Sequence, residues 1–324
     1  MNTGSILQQV LNPAGPQARH VSDFWWLTVA LCVVVFLTIL VALFVALRRA
    51  PRANAATPPD LASLTRPEDR ARRLVSGALV ASLLGLFVLI VGSFTTDQAL
   101  AKLPLQQALH IEVVANQWWW DVRYDDPEPS RIFQTANELH IPVGRPVVVT
   151  LKSNDVIHSF WVPNLAGKKD LIPGREASLA FRADAPGVYR GQCAEFCGLQ
   201  HANMAFVVVA QKPDEYASWA ESQRQPAVEP AGGREARGRE IFLSGPCMMC
   251  HAIQGTPANG RHAPDLTHLA GRSTIGAGSL PNDAAHLAAW ISDPHKFKKG
   301  VNMPAIPLPQ EDLDAMVAFL VSLK

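Results

Sequence analysis

Two stretches of the chain carry no charge and show no polar face. Phe24 to Leu47 and Leu74 to Phe94 are apolar all the way round a helix. A helix of a soluble domain shows an apolar stripe, so an all-round apolar run predicts a helix in lipid. Each run reaches the roughly 20 residues that a membrane-spanning helix needs. The segment between them, residues 48–73, holds Arg48, Arg49, Arg52, Arg66, Arg70, Arg72 and Arg73, whereas the outer flanks carry Arg19 and Lys102. Lys and Arg are retained on the cytoplasmic side, which predicts a cytoplasmic loop with both chain ends outside. The predicted order is an extracytoplasmic segment 1–23, a helix 24–47, a loop 48–73 and a second helix 74–96. The first run is too long for a signal-peptide core and is followed by Arg48-Arg49, so it reads as a retained anchor.

From Leu109 the pattern shortens to strand-like runs such as His110–Ala115, Val147–Leu151 and Ala177–Phe181. Turn signals separate them: Val143-Gly-Arg-Pro146, Pro173-Gly174 and Ala185-Pro-Gly187. Short strands between such turns predict an all-β sandwich or barrel, here over residues 97–212. Residues 213–232 read as a linker because Gln223-Arg-Gln-Pro-Ala-Val-Glu-Pro-Ala-Gly232 is polar and proline-rich. Residues 233–324 return to helical spacing. The last helix is predicted to start at Pro309-Gln310-Glu311-Asp312, with acidic residues at the positive end of its dipole.

Composition agrees with a membrane anchor, at 48% hydrophobic and 18% charged residues. The net charge of +1, with no basic stripe, gives no sign of a nucleic-acid partner. The five cysteines fall into two close pairs and Cys32, which lies in the first apolar run and is expected to be a small buried residue.

One pair opens Cys193-Ala-Glu-Phe-Cys197-Gly-Leu-Gln-His201-Ala-Asn-Met204, and His158 lies upstream in Val-Ile-His-Ser-Phe-Trp-Val-Pro. Two thiols, two imidazoles and a thioether are a soft nitrogen-and-sulfur set, suited to copper rather than magnesium or calcium. Two bridging thiolates can hold two copper ions and share one electron between them. The spacing suits a loop between two strands, since Gly187–Gly191 and Ala205–Ala210 are strand-like. A Cys193–Cys197 disulfide and a zinc site are the alternatives, and Met204, a poor zinc ligand, weighs against zinc.

The other pair is Cys247-Met-Met-Cys250-His251, a Cys-x-x-Cys-His motif for covalent attachment of a c-type haem, with His251 as the proximal iron ligand. A thioredoxin-like pair or half a zinc site are the alternatives. The segment Gly232–Phe242 reads as an amphipathic helix leading into the motif.

These segments resemble subunit II of the cytochrome c oxidases, whose soluble domain carries the binuclear copper centre CuA, followed by a class I cytochrome c domain. The residues that carry the first resemblance are V-I-H-S-F-W-V-P, G-K-K-D-L-I-P-G-R and Y-R-G-Q-C-A-E-F-C-G-L-Q-H-A-N-M. It implies a cupredoxin-like sandwich with His158, Cys193, Cys197, His201 and Met204 as copper ligands and Glu195 binding copper through its carbonyl. The Glu195 side chain is implied to face a magnesium or manganese site shared with subunit I. Trp118, first ring of Gln117-Trp-Trp-Trp120, is implied to be where electrons enter, while Trp119 and Trp120 read as rings that pack at a surface facing subunit I. Ala263-Pro264-Asp265-Leu266 resembles the cytochrome loop whose proline carbonyl orients the proximal histidine. Met303, in Val-Asn-Met-Pro, resembles the axial methionine. Met316 competes for that place, but its helical apolar spacing reads as core. His262, His268, His286 and His295 read as surface or satisfied histidines, and Lys296-Phe-Lys298-Lys299 as a solvated loop or docking patch.

The implied protein is a multidomain membrane protein: a two-helix transmembrane hairpin, an all-β cupredoxin-like sandwich and an all-α cytochrome c domain. Its implied function is that of a cytochrome c oxidase subunit in a bacterial inner membrane. It would pass electrons from a donor such as a cytochrome c through haem and CuA to haem in subunit I, where O2 becomes water; subunit III is a further implied partner. No catalytic acid, base or nucleophile is expected in the chain. Two other readings stay open: electron delivery to a nitric oxide reductase or another haem-copper reductase, and copper binding without electron transfer. The chain departs from many relatives before the second helix, where Glu68 lacks the motif tied to proton uptake.

Overall fold

The computed structural model describes residues 8–50, 52, 54–65 and 67–324, so residues 1–7, Pro51, Ala53 and Arg66 lie outside the described part. It divides into two units, one of residues 20–102 and one of the flanking N-terminal segment with residues 103–324.

The first unit is a helical hairpin. Helix α1 spans Pro16–Arg49 and α2 spans Asp69–Leu100, 34 and 32 residues, both long and apolar enough to cross a membrane. At about 1.5 Å per residue each is about 50 Å long, against about 30 Å of hydrocarbon. Both therefore run past their apolar stretches, with Arg48 and Arg49 at the negative end of α1 and Asp69 at the positive end of α2. Gly92 faces Phe24 and Leu27, and Gly85 faces Leu31, so the two helices run antiparallel. Cys32 lies on the outer surface of the hairpin, within the stretch apolar enough to cross a membrane. Glu68 occupies the N-cap of α2 without a side-chain capping bond.

In the second unit, ten strands form two five-stranded sheets. One contains β1 (Leu109–Asn116), β2 (Trp119–Asp125), β3 (Phe133–Ala136), β5 (Val147–Ser153) and β8 (Ala177–Phe181), ordered β3-β2-β1-β5-β8. The other contains β4 (Glu138–Pro142), β6 (His158–Trp161), β7 (Lys169–Leu171), β9 (Gly187–Cys193) and β10 (Ala205–Gln211), ordered β4-β10-β9-β6-β7. Alternate residues of β1, β2 and β5 point inward, as the two-residue strand period requires. Val113, Val122, Val149, Leu139, Phe160 and Phe206 close the core at 0–2% exposure.

The N-terminal segment docks on this sandwich: Ala14 N–H donates to the Asn164 carbonyl and Asn164 Nδ2 donates to the carbonyls of Gln9 and Asn12. The expected linker 213–232 is shorter than its composition suggested. Residues Pro213–Gln223 form α3, whose Tyr216 and Ala220 enter the sandwich core and whose Trp219 stacks on His140 at 4.0 Å. Three apolar side chains on one face outweigh an otherwise polar sequence.

The C-terminal domain holds α4 (Gly233–Ser244), α5 (Cys247–Cys250), α6 (Ala284–Ser292) and α7 (Gln310–Ser322). It departs from all-α in a two-residue ladder of β11 (Thr274–Ile275) and β12 (Leu280–Pro281). Helices α4 and α7 cross where a Cβ at Gly238 would lie 2.0 Å from the Ala315 carbonyl oxygen, so no side chain fits there. Phe242 meets Phe319 edge-on beside this crossing, and Arg237 pairs with Asp312 in the first turn of α7.

Candidate functional site

The loop from Cys193 to Met204 joins β9 to β10, an antiparallel pair in which Gln192 faces Ala205. Cys193 N–H donates to the Met204 carbonyl at 2.9 Å, so strand pairing brings the two ends of the loop together. On its other edge β9 pairs with β6, which places Phe160 opposite Cys193 and sets His158 beside it. The result is a cluster: Cys193 Sγ lies 3.8 Å from His158 Nδ1 and 3.7 Å from Cys197 Sγ. Cys197 Sγ in turn lies 3.6 Å from His201 Nδ1 and 3.8 Å from Met204 Sδ. A sulfur separation of 3.7 Å is far from the roughly 2.05 Å of a disulfide, so that alternative is not formed. The Glu195 carbonyl oxygen sits 3.2 Å from Cys193 Sγ, while its side chain turns out to Lys168 at 3.6 Å.

Electrostatics suit a cation. The Cys197 thiol hydrogen-bonds Cys193 and, with His158, pulls the Cys193 thiol down to about 3. Its thiolate in turn pushes Cys197 well above its ordinary value. Such a pair becomes two thiolates when positive charge sits between them. Asp155 Oδ1 lies 2.8 Å from His158 Nε2, which fixes the tautomer and leaves Nδ1 facing the sulfur atoms.

The second site is a cavity of about 160 Å³ whose lining includes His251, Met303, Leu287, Trp290 and Leu320. His251 Nδ1 donates to the Pro264 carbonyl at 2.7 Å, so the proton sits there and Nε2 keeps its lone pair free. Burial holds the His251 imidazole below its ordinary value, against the pull of that bond, and so keeps it neutral as an iron ligand must be. Arg272 also lines the cavity, and its buried Nε has no hydrogen-bond partner among the described residues. An apolar slot with a free imidazole nitrogen, a thioether and a guanidinium whose Nη2 donates to the Asp265 carbonyl but whose Nε is unpartnered fits a haem with its propionate carboxylates. Met316 is elsewhere, 2% exposed in the core of α7. His268 is excluded as a ligand because carbonyls of Lys324 and Gln225 occupy both ring nitrogens. His286 pairs with Asp283, His295 is exposed, and exposed His262 sits at the cavity wall.

The two sites share a wall. Trp118 Nε1 and Gln117 Nε2 both donate to the Cys197 carbonyl, at 2.9 and 2.8 Å, and both residues line the cavity with His251 and Met303. The close approach favours Gly198, whose φ of +106° is one that side chains rarely adopt and where a Cβ would sit a tight 3.1 Å from Gln117 Nε2. Trp119 lines the same cavity, and Trp120 is wholly buried inside the sandwich against Phe206 and His158. Trp120 is therefore not a surface ring facing a partner, whereas Trp119 is half-buried.

The family descriptions that match are cytochrome c oxidase subunit II, periplasmic domain, over residues 127–211, and cytochrome c, over residues 235–324. Cytochrome c oxidase subunit 2 of Alkalihalophilus pseudofirmus is 35% identical over 97% of this chain and 90% of its own length. The chain belongs to the cytochrome c oxidase subunit 2 family. The protein of that name from Bacillus sp. strain PS3 is 32% identical over 66% of this chain and 62% of its own length. The crystal structure of the periplasmic domain of subunit II of cytochrome oxidase of Bradyrhizobium japonicum is 31% identical. It covers 37% of this chain and 97% of that one, with a TM-score of 0.35.

A cytochrome c oxidase subunit 2 with a cytochrome c domain is part of a haem-copper oxidase, an oxidoreductase, and its two domains imply CuA copper and haem c. Membership sets aside copper binding without redox duty. What sequence reading missed in this subunit 2 are the ties between its two redox domains. Ser273 donates through N–H and Oγ to Glu138 of the sandwich, and Ala205 N–H donates to the Ala277 carbonyl. Lys298, taken as part of a solvated basic loop, is 1% exposed between the domains. Lys296 and Lys299 beside it are exposed, so composition alone carried no signal of the difference.

Proposed function

We propose that electrons enter this subunit at a haem covalently held by Cys247 and Cys250, with His251 and Met303 as axial iron ligands, and pass to a binuclear copper centre. The copper ligands are His158, Cys193, Cys197, His201, Met204 and the Glu195 carbonyl. The observation that carries the reading is Trp118, which lines the haem cavity while its indole donates to the carbonyl of Cys197. When bound, haem and copper each supply a one-electron couple.

The protein's own part is to position those couples. Pro264 orients the His251 ring, Asp155 orients the His158 ring, and the apolar walls Leu287, Trp290 and Leu320 exclude water from the iron site. A thioether ligand from Met303 raises the haem potential into the range of an electron carrier. Burial of Cys193 and Cys197, at 3% and 1% exposure, keeps the copper environment rigid and dry.

From copper the electrons go to haem in subunit I, where O2 is reduced to water, with subunit III as a further partner and a cytochrome c or upstream respiratory complex as donor. The outward Glu195 carboxylate is assigned to a magnesium or manganese site at the subunit I boundary. The hairpin sits in the bacterial inner membrane with loop 48–73 in the cytoplasm. The docking of residues 9–14 on the sandwich supports this, because it ties the N-terminus to the cofactor side.

The test is an optical and electron-paramagnetic-resonance spectrum of the full chain in detergent. A mixed-valence copper signal with hyperfine structure from two nuclei, beside a low-spin c-type haem, is expected. A haem spectrum without that signal removes the middle step. If Cys247→Ala leaves oxidase turnover with an external cytochrome c intact, the haem is not the obligatory point where electrons enter.

A further inference from the structure

Lys298 lies in the segment between α6 and Met303, and its ammonium is enclosed where the sandwich meets the cytochrome domain. Its Nζ donates to three backbone carbonyls: Trp118 at 2.9 Å, Asn203 at 2.8 Å and Gly276 at 2.9 Å. An ammonium has three donors, so its hydrogen-bonding capacity is spent. The three acceptors come from three different places. Trp118 ends the turn into β2, Asn203 precedes the proposed copper ligand Met204, and Gly276 follows β11 in the wall of the haem cavity. No carboxylate is among the three partners, so ion pairing does not explain why a lysine is buried here. Burying a charge is costly unless it is fully hydrogen-bonded, and here the bonds run across the domain boundary. A neighbouring bond, Gln200 Nε2 to the Lys299 carbonyl at 2.9 Å, ties the copper loop to the same segment.

We propose that Lys298 is a positioning residue for electron transfer between the two cofactor sites. Its three hydrogen bonds hold the Met303 loop, the Trp118 turn and the copper loop in one fixed arrangement. The inference rests on the electron route above. In the step it serves, one electron would pass from ferrous haem, leaving it ferric, to the oxidised mixed-valence copper pair, which would become dicopper(I); no proton or bond changes hands. Lys298 Nζ bonds backbone carbonyls and none of the proposed ligand atoms, so its hydrogen bonds act on the separation of the couples, while its charge, coupled to Cys197, adds an offset to the copper potential. Transfer between fixed couples falls steeply with separation, as does any reaction that depends on sub-ångström placement.

The experiment uses the full chain loaded with both cofactors, comparing native protein with Lys298→Met and Gln200→Ala. Haem-to-copper transfer is followed after rapid photoreduction, the haem–copper distance by pulsed electron paramagnetic resonance, and both potentials by redox titration. Hydrogen exchange of the cofactor-free chain reports on docking at residues 200–204 and 274–278. In Lys298→Met, transfer is expected to slow by about tenfold or more, with a longer or broader distance distribution, faster exchange in both segments and unchanged spectra; the measured potentials separate the effect of the lost charge on driving force from the effect of distance. Gln200→Ala is expected to move the same readouts less, and it carries the test alone if Lys298→Met does not fold. Native distances in the variants overturn the inference, as does a rate loss that the shifted potentials account for in full; altered copper spectra also overturn it, because they would make Lys298 part of a metal site itself. Absence of transfer in the native chain overturns the electron route instead.

Discussion

Trp118 donates its indole Nε1–H to the carbonyl oxygen of Cys197 at 2.9 Å. One side chain thus joins a copper-ligand loop to a haem cavity. Trp118→Phe keeps an aromatic ring in the cavity wall and removes the donor, while Gln117 still satisfies the carbonyl. The expected cost is about 1 kcal/mol of stability, as for a typical lost hydrogen bond. Haem-to-copper transfer should slow while the copper resonance stays unchanged; flash photolysis with paramagnetic resonance on the same sample checks both.

Met204 Sδ lies 3.8 Å from Cys197 Sγ in a site where Met204 is 1% exposed. Met204→Leu conserves volume and should cost less than about 1.5 kcal/mol. Losing a thioether donor destabilises oxidised copper, so the copper potential should rise. An unchanged potential with unchanged oxidase turnover removes Met204 from the ligand set.

Two methionines separate ligand from core. Met303→Leu should abolish the low-spin six-coordinate haem spectrum and lower the haem potential, because thioether ligation raises it. Met316→Ala should leave the spectrum alone and cost about 2–5 kcal/mol in a denaturant titration, since the side chain is 2% exposed in the helical core.

Glu138 sets an acid limit on domain docking. Burial works to raise its carboxyl, but the His140 hydrogen bond and charge and the two Ser273 hydrogen bonds prevail and hold it below the ordinary 4.5. A depressed carboxylate stabilises the fold fully above its unfolded value and loses that contribution as pH falls through the folded one. Stability should therefore be flat in this respect above about pH 4.5 and decline below it. Glu138→Gln should be about 1–3 kcal/mol less stable near neutrality and show a shallower decline in acid. Thermal unfolding across pH measures both, and parallel profiles would show that Glu138 plays no such part.

Much of the site was legible because it is local in sequence. Cys193, Cys197, His201 and Met204 lie within twelve residues, as do the haem cysteines and His251 within five. Side-chain chemistry and spacing there suffice to suggest soft-metal and haem binding, and two uncharged runs suffice to suggest a hairpin. The linker was misread in part because α3 is polar overall and is held by apolar side chains such as Trp219, which stacks on His140 far back in the chain.

What the sequence alone determined is therefore most of the elements and a set of candidate ligands, each written in a short window by period, spacing and ligand chemistry. The tertiary structure decided what faces what. It moved Trp120 into the sandwich core, placed Trp118 and Trp119 in the wall of the haem cavity, and buried Lys298 between two exposed lysines. Such choices depend on residues far apart in the chain competing for the same small volume, as Lys298 and Trp118 do across 180 positions. No local pattern records that competition, because a buried ammonium and a solvated one share the same neighbours in sequence and differ only in the carbonyls that folding brings within reach.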